Sequence, residues 1–431
     1  MVSLSLKRGA RRNKLFLEFR PRSLEEMSIQ IQEEAAELMK PSSRDFAGKS
    51  GERLRVLHVI PRLGLGGTEK GVLKVIRGLG EEGFVHQICA VRGVDAEFAR
   101  REAIEPKPYS ADSLRDGFQF PLFRLKKIME EFRPHIVHSR NFGALEAVPA
   151  ARLARVPVVI HSEHGYELET LGGLPLRRRI LCRCFYGMAD AVFTVTDELR
   201  RYHAAQSWIP PSRFQVLYNG VDTEKFAPNS LSAVQVRTEL GVPAGRFLIG
   251  SVGRLVAIKD HNTLLRAAEN LLLQGLDVHV LLVGAGPEMP NLQKYVADSG
   301  SLPGRVTFPG ASSRVPELLN AMDAFVLPSI SEGMSNTILE AMACGVPTVV
   351  THTGGNPELI EEGQSGYLFP PRDVGTLSTL LARLAEDASL REEIGASARR
   401  RAFELFSVGG MIDRYQQIYT QLASRNASGR D

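Results

Sequence analysis

The chain has 431 residues, 43% of them apolar and 24% charged, with a net charge of +4. That is the make-up of an ordinary globular protein, long enough for two domains and an appendage. The weak positive charge suits anionic ligands or a membrane surface, while 7% aromatics without basic–aromatic interleaving argue against a nucleic-acid-binding module. Residues 1–52 read as a flexible N-terminal extension, basic in "LKRGARRNKLFLEFRPR" and acidic in "SLEEMSIQIQEEAAELMK", with Met27 as an alternative start. It has no apolar core of a secretory signal, and no later stretch of about 18 apolar residues predicts a membrane span. From Leu54 onward apolar runs recur at "LRVLHVI", "HQICAV", "HIVHS", "VPVVIHS", "AVFTVT" and "FQVLYNG", separated by amphipathic helical stretches such as "GTEKGVLKVIRGLGEEG". After a polar break, "APNSLSAVQ", a second series follows: "FLIGSVG", "VHVLLVGAG", "VTFPG", "AFVLP", "PTVVTHTGG" and "GYLFP".

Strands alternating with helices predict parallel sheets covered on both faces. The pattern gives two Rossmann-like, doubly wound α/β domains facing across a cleft, over residues 53–228 and 229–406. Residues 407–431 close the chain as an amphipathic helix and tail, with Met411, Tyr415, Ile418, Tyr419 and Leu422 on one side. The four cysteines, Cys89, Cys182, Cys184 and Cys344, lack zinc-site spacing and read as free thiols.

The loops after the second series of strands carry the chemistry. Gly253, Arg254 and Lys259 follow its first strand, and glycines follow the next ones, where backbone N–H groups can approach a ligand closely. Arginine offers a planar fork to phosphate oxygens and lysine a mobile point charge. "PSISEGMSNTILEAMACGVPTVV" sets Glu332 and Glu340 eight residues apart around a strand-end loop and a short helix. Thr337 and Glu340 also have the spacing of a capping box, so Glu340 serves either the helix start or a ligand. Backbone N–H groups from Gly333 through Met334 and Ser335 to Asn336 lie where a helix N-terminus receives phosphate.

In the first domain "PRLGLGGTEKG" has neither dinucleotide nor P-loop spacing. "HSEHGYE" places His161, Glu163 and His164 at a strand end; a loop histidine reaching into the cleft, a structural histidine and, less favoured, a metal ligand all fit. No Asp-x-Asp is seen, which leaves basic side chains and helix dipoles to neutralise a diphosphate. The residues by themselves describe a nucleotide-sugar site.

Several motifs together then resemble the GT-B glycosyltransferases, specifically the large retaining group called family 4. They are Glu332-Gly333 with Glu340-Ala341, Gly253-Arg254-Leu255 with Lys259, Asn219-Gly220-Val221-Asp222 with Phe226, Gly354-Gly355-Asn356-Pro357-Glu358, Gly66-Gly67-Thr68-Glu69 and His164-Gly165. The resemblance covers residues 53 to about 425. It implies a metal-independent, retaining hexosyltransferase of glycan, polysaccharide or glycolipid synthesis, with no cofactor and a UDP- or GDP-linked sugar as donor. In it Arg254 and Lys259 bind the diphosphate, Glu340 the ribose, Glu332 and the Gly333–Asn336 backbone the sugar and β-phosphate. His164 contacts the sugar, the Gly66-Gly67 loop closes over the diphosphate, and the last helix crosses back onto the first domain. Met334-Ser335-Asn336 depart from the family pattern after Glu-Gly, which puts the shape of the sugar pocket in question. The acceptor is a carbohydrate or lipid-linked hydroxyl, the partners include no nucleic acid, and the location is cytoplasmic. Arg177, Arg178, Arg179 and Arg183 beside Leu176, Ile180, Leu181 and Phe185 suggest either peripheral membrane contact or a solvated cationic face. A nucleotide-sugar 2-epimerase of the same architecture and a non-catalytic sugar-nucleotide-binding subunit are the alternatives.

Overall fold

Short, buried, β-branched runs set the architecture of the computed structural model, which describes residues 53–64, 66–105, 108–111, 121–166, 173–243 and 245–428. The expected extension over residues 1–52 lies outside the described residues. In the first lobe the strands are β1 (Leu54–Ile60), β2 (Phe84–Ala90), β3 (Tyr109–Ser110), β4 (Ile136–Arg140), β5 (Val158–Glu163), β6 (Ala191–Thr194) and β7 (Phe214–Val216). Among the described residues they form one sheet in the order β3-β2-β1-β4-β5-β6-β7, every pairing parallel. The second lobe holds β8 (Phe247–Val252), β9 (Val278–Val283), β10 (Val306–Gly310), β11 (Ala324–Leu327), β12 (Thr348–Thr351) and β13 (Tyr367–Phe369). Its order is β10-β9-β8-β11-β12-β13, again all parallel. β3, only two residues long, is too short to show as an apolar run in the sequence.

Each sheet is sandwiched because its strands are apolar on both faces. Phe247, Ile249, Val278 and Val280 pack with Leu264, Ala267 and Leu271 on one side of the second sheet, while Leu248, Leu281 and Phe325 pack on the other. The second of these clusters also takes in Val195, Leu199 and Val221 of the first lobe, so the two lobes share part of one core.

Two departures from expectation have local causes. The polar stretch around Pro228 is no plain linker: Asn229 accepts a hydrogen bond from the Ser232 N–H at 3.0 Å and starts helix Ser230–Glu239. Helix Asn336–Ala343 is not opened by a capping box either, since Ser335 is its N-cap and Glu340 lies in its interior.

The chain returns to the first lobe through a backbone clasp. The Val221 N–H donates to the Phe406 carbonyl and the Val408 N–H to the Val221 carbonyl, each at 2.8 Å. Helix Val408–Ser428 then buries Met411, Tyr415 and Tyr419 against Val56, Phe84, Ile160 and Phe193, with Ile418 and Leu422 partly covered. Glu358 of the second lobe adds a strut, accepting from the N–H groups of Asp197 (2.8 Å) and Glu198 (2.9 Å) at the start of first-lobe helix Asp197–Ser207 and from the Tyr218 hydroxyl (3.1 Å).

Helix Leu176–Met188 buries Cys182 and Tyr186 and exposes Leu176, Ile180 and Leu181. Its arginines are partly engaged within the protein: Arg178 lies over the Phe142 ring at 4.5 Å and Arg179 over Trp208 at 4.2 Å. Among the described residues no helix is long and apolar enough to cross a membrane. None of the four cysteines is in a disulfide, and Cys184 alone is exposed.

Candidate active site

In a doubly wound sheet the C-terminal strand ends on either side of the point where strand order reverses leave a crevice. That point lies between β1 and β4 in the first lobe and between β8 and β11 in the second. The loops leaving these four strands, with the one leaving β5, meet in a cavity of about 460 Å³, lined from the first lobe by Gly67, Thr68, Asn141, His164 and Tyr166 and from the second by Arg254, Glu332, Gly333, Met334 and Asn336.

On the second lobe the loops are laced main chain to main chain. The Leu255 N–H donates to the Ala285 carbonyl (3.0 Å), Ile330 to Ile258 (2.8 Å) and Gly355 to Gly333 (3.0 Å). Gly333 comes so near the first lobe that a Cβ there would lie 2.5 Å from the His164 carbonyl oxygen. Glu332 pairs with Lys259, and both side chains are largely buried, at 11% and 16% exposure. The N-terminal end of helix Asn336–Ala343 sits at the cavity wall, where its free N–H groups favour an anion. Met334 is buried and its sulfur accepts from the Asn219 N–H at 3.1 Å, so the departure from the family pattern fills the gap between lobes with thioether.

On the first lobe the strand ends carry side chains instead. His164 Nε2 lies 2.9 Å from Ser162 Oγ, and its backbone N–H donates to Asn141 Oδ1 at 2.9 Å. Asn141 holds φ +61°, a conformation uncommon outside glycine, and its amide nitrogen donates to Thr68 Oγ1 at 3.2 Å, tying the Gly66-Gly67 loop to the end of β4. Burial and the nearby Arg140 depress His164 to about 3, so its ring is neutral at neutral pH. His161 bonds Ser139 Oγ at 2.7 Å and Glu163 at 3.0 Å, a direction distinct from that of His164. The two histidines therefore serve separate partners, and among the described residues no group of three or more His, Cys, Asp or Glu is placed to hold a metal ion. Burial would raise the Glu163 carboxyl, but His203, His161 and the donated Tyr186 hydroxyl outweigh it and hold it at about 2.

Of the expected site residues, His164, Gly67, Arg254, Glu332, Gly333, Met334 and Asn336 share the cavity wall. Lys259 joins them through Glu332. Gly66, Gly253 and Ser335 adjoin wall residues in the chain and do not line the cavity themselves. Glu340 is placed apart: it is half-buried in its helix, and burial pushes its carboxyl up against the pull of Lys74, Lys70 and Lys225. Two of those lysines belong to first-lobe helix Gly67–Leu79, where Lys74 donates to the Gly220 carbonyl at 2.8 Å. Sequence reasoning missed Asn141, Tyr166, Tyr186, Tyr202 and His203 on the wall and Arg140 beneath it.

Comparison with known proteins follows the same division into lobes. The family model for glycosyl transferases group 1 matches residues 235–401, and that for glycosyltransferase family 4 matches residues 65–225. The chain is 28% identical to the UDP-Gal:alpha-D-GlcNAc-diphosphoundecaprenol alpha-1,3-galactosyltransferase of Escherichia coli, over 70% of this chain and 79% of that protein. It is 29% identical to the GDP-mannose-dependent alpha-(1-6)-phosphatidylinositol monomannoside mannosyltransferase of Mycolicibacterium smegmatis, over 65% and 75% respectively. Among solved structures, Anabaena HepE in complex with UDP superposes with a TM-score of 0.73 at 23% identity, over 86% of this chain and 100% of that one, a likeness of fold.

Proposed function

Because the chain belongs to the family 4 glycosyltransferases and has the GT-B fold, we propose that it moves a hexosyl group from a UDP- or GDP-linked sugar to a hydroxyl of a carbohydrate or lipid-linked acceptor, with retention and without a metal or cofactor. The observation that carries the reading is one cavity that gathers Arg254, the Glu332-Gly333 loop and Asn336 from one lobe with His164 and Gly67 from the other. The transferase names of the relatives favour transfer over 2-epimerisation or binding alone.

In this proposal Arg254 and Lys259 receive the charge that develops on the departing nucleoside diphosphate, and the N–H groups from Gly333 to Asn336 hold its β-phosphate. Lys259 exchanges its Glu332 partner for phosphate oxygen as Glu332 accepts hydroxyls of the sugar. Glu340 takes the ribose hydroxyls, with Lys74 and Lys70 opposing the rise that burial imposes on its carboxyl. Neutral His164 hydrogen-bonds the sugar, the Gly66-Gly67 loop covers the diphosphate, and the leaving phosphate takes the acceptor proton. The reaction takes place in the cytoplasm, with the exposed face of helix Leu176–Met188 resting on the membrane surface when the acceptor is lipid-linked.

The test is incubation of the full chain with a panel of labelled nucleotide sugars, with and without EDTA, with product analysis by mass spectrometry and anomeric NMR. Transfer or slow donor hydrolysis, unaffected by EDTA and with the anomeric configuration kept, is the expected result. Isomerised donor, or binding of donor with no turnover, contradicts it. Liposome flotation at low salt tests the membrane arm, which fails if the protein does not co-migrate with anionic vesicles.

A further inference from the structure

A chain of four buried or half-buried side chains links the returning C-terminal helix to the cavity. Tyr419 OH lies 2.8 Å from His138 Nδ1, His138 Nε2 lies 3.0 Å from Ser162 Oγ, and Ser162 Oγ lies 2.9 Å from His164 Nε2. Tyr419 and His138 are fully buried and Ser162 nearly so. Each group in this chain can play donor or acceptor, so geometry alone permits two opposite polarities.

The far end decides between them. Tyr419 is a residue with one hydroxyl proton, and a buried proton without an acceptor is costly. Of the other polar side chains that act on it, Arg140 can only donate and Tyr415 meets it ring to ring. His138 Nδ1 is therefore the acceptor for Tyr419, which leaves the His138 proton on Nε2. That N–H donates to Ser162 Oγ, so the serine hydroxyl donates onward to His164 Nε2. His164 then carries its own proton on Nδ1, the ring nitrogen left for the cavity that the residue lines. Both rings are neutral under these conditions, since burial and Arg140 hold His138 well below the usual histidine range and His164 at about 3. Arg140 imposes the same outward polarity on a second branch: its Nη1 donates to His58 Nδ1 at 3.1 Å, and His58 Nε2 stands 3.0 Å from His86 Nδ1.

We infer that Tyr419, His138 and Ser162 are positioning residues that fix His164 as its Nδ1–H tautomer, so that the ring presents a hydrogen-bond donor, not an acceptor, to the bound sugar. The tautomer follows from the free protein's hydrogen bonds, while its effect on turnover rests on the transferase reading above. A donor there can engage a ring or hydroxyl oxygen of the sugar; the other tautomer would turn a lone pair toward the same oxygen and repel it.

The test is two-bond 1H–15N correlation on protein labelled with 15N-histidine, His164 being assigned by its loss in His164→Gln. Wild type is expected to show neutral His164 protonated at Nδ1 and neutral His138 protonated at Nε2. Tyr419→Phe keeps the ring against Phe84 and Tyr415 but removes the proton that sets the polarity. It should populate the other His164 tautomer and lower kcat roughly tenfold, the scale of one hydrogen bond, with UDP or GDP affinity unchanged. Ser162→Ala should do the same from the near end, and Tyr415→Phe on the same helix should change neither readout. An Nε2–H or cationic His164 in wild type, or an unaltered tautomer in both Tyr419→Phe and Ser162→Ala, overturns the inference. Absence of turnover with the Nδ1–H form intact contradicts the transferase reading and leaves the relay standing.

Discussion

The two lobes build the same kind of strand-end crevice from opposite materials. In the second lobe the walls are main chain, glycine-rich loops bonded to one another with Arg254, Lys259 and Glu332 projecting from them. In the first they are side chains, with His58, His138, Arg140, Ser162, His161 and Glu163 buried and cross-bonded at the ends of β1, β4 and β5. Backbone walls suit a charged diphosphate, which needs many N–H groups at short range. A buried network of hydrogen-bonded histidines instead fixes the direction of a few hydrogen bonds. The lobes should therefore fail differently when altered.

The largest loss should come from charge on the second lobe. Arg254→Ala should lower kcat by about 10²–10³-fold with little change in melting temperature, the scale for removing one group that stabilises a developing charge. Next comes the main chain itself. Gly354 sits at φ +52°, and a Cβ there would lie 1.8 Å from the Glu332 carbonyl oxygen. Gly354→Ala should destabilise the chain by about 2–3 kcal/mol and displace Glu332, seen as a lower denaturation midpoint together with lost donor binding. A variant with normal stability and donor affinity would show that the loop contact is not needed.

A smaller effect belongs to the strut between lobes. Glu358→Ala leaves the N–H groups of Asp197 and Glu198 without their carboxylate, which should cost about 1–2 kcal/mol in urea titration, while Glu358→Gln keeps part of the bonding and loses less. The smallest concerns pH and the first lobe. His58 and His138 are fully buried and held well below the ordinary histidine value of 6.5 by burial, then by Arg140. The unfolded chain then binds protons that the folded one refuses, so stability falls as pH drops through 6.5 and continues to fall toward the folded-state values. Between about pH 7 and 6 each such histidine should remove about 0.7 kcal/mol or less. A melting temperature that rises on acidification over this range would reverse the sign and contradict neutral burial.

The same contrast explains what the sequence disclosed. Loops such as "VGAGPE" and "THTGGNPE" announce themselves because glycine after an apolar run has few other uses. The parallel, two-sheet architecture was legible from the repeated apolar runs for a similar reason. The first-lobe network was not, since Ser139, Arg140, Ser162 and Glu163 look like ordinary strand ends until strand order sets β4 between β1 and β5. Tyr419 is 281 residues from His138 and reads as one more apolar position of an amphipathic helix. Asn141 gave no signal beyond asparagine's tolerance of positive φ, and Glu358 gave none that it would cap a helix of the other lobe. Thr337 and Glu340 gave a misleading one, because Ser335 starts the helix a turn's fraction earlier than capping-box spacing implies.

The central claim is that one cavity between the lobes binds a nucleotide sugar and acts on it through Arg254. Release of UDP or GDP from a panel of nucleotide sugars, followed by a coupled assay in wild type and Arg254→Ala, tests it most directly. Nucleoside diphosphate should be released from at least one donor by the wild type and at least about 10²-fold more slowly by the variant. No release from any donor, or equal rates in the two proteins, would contradict the account.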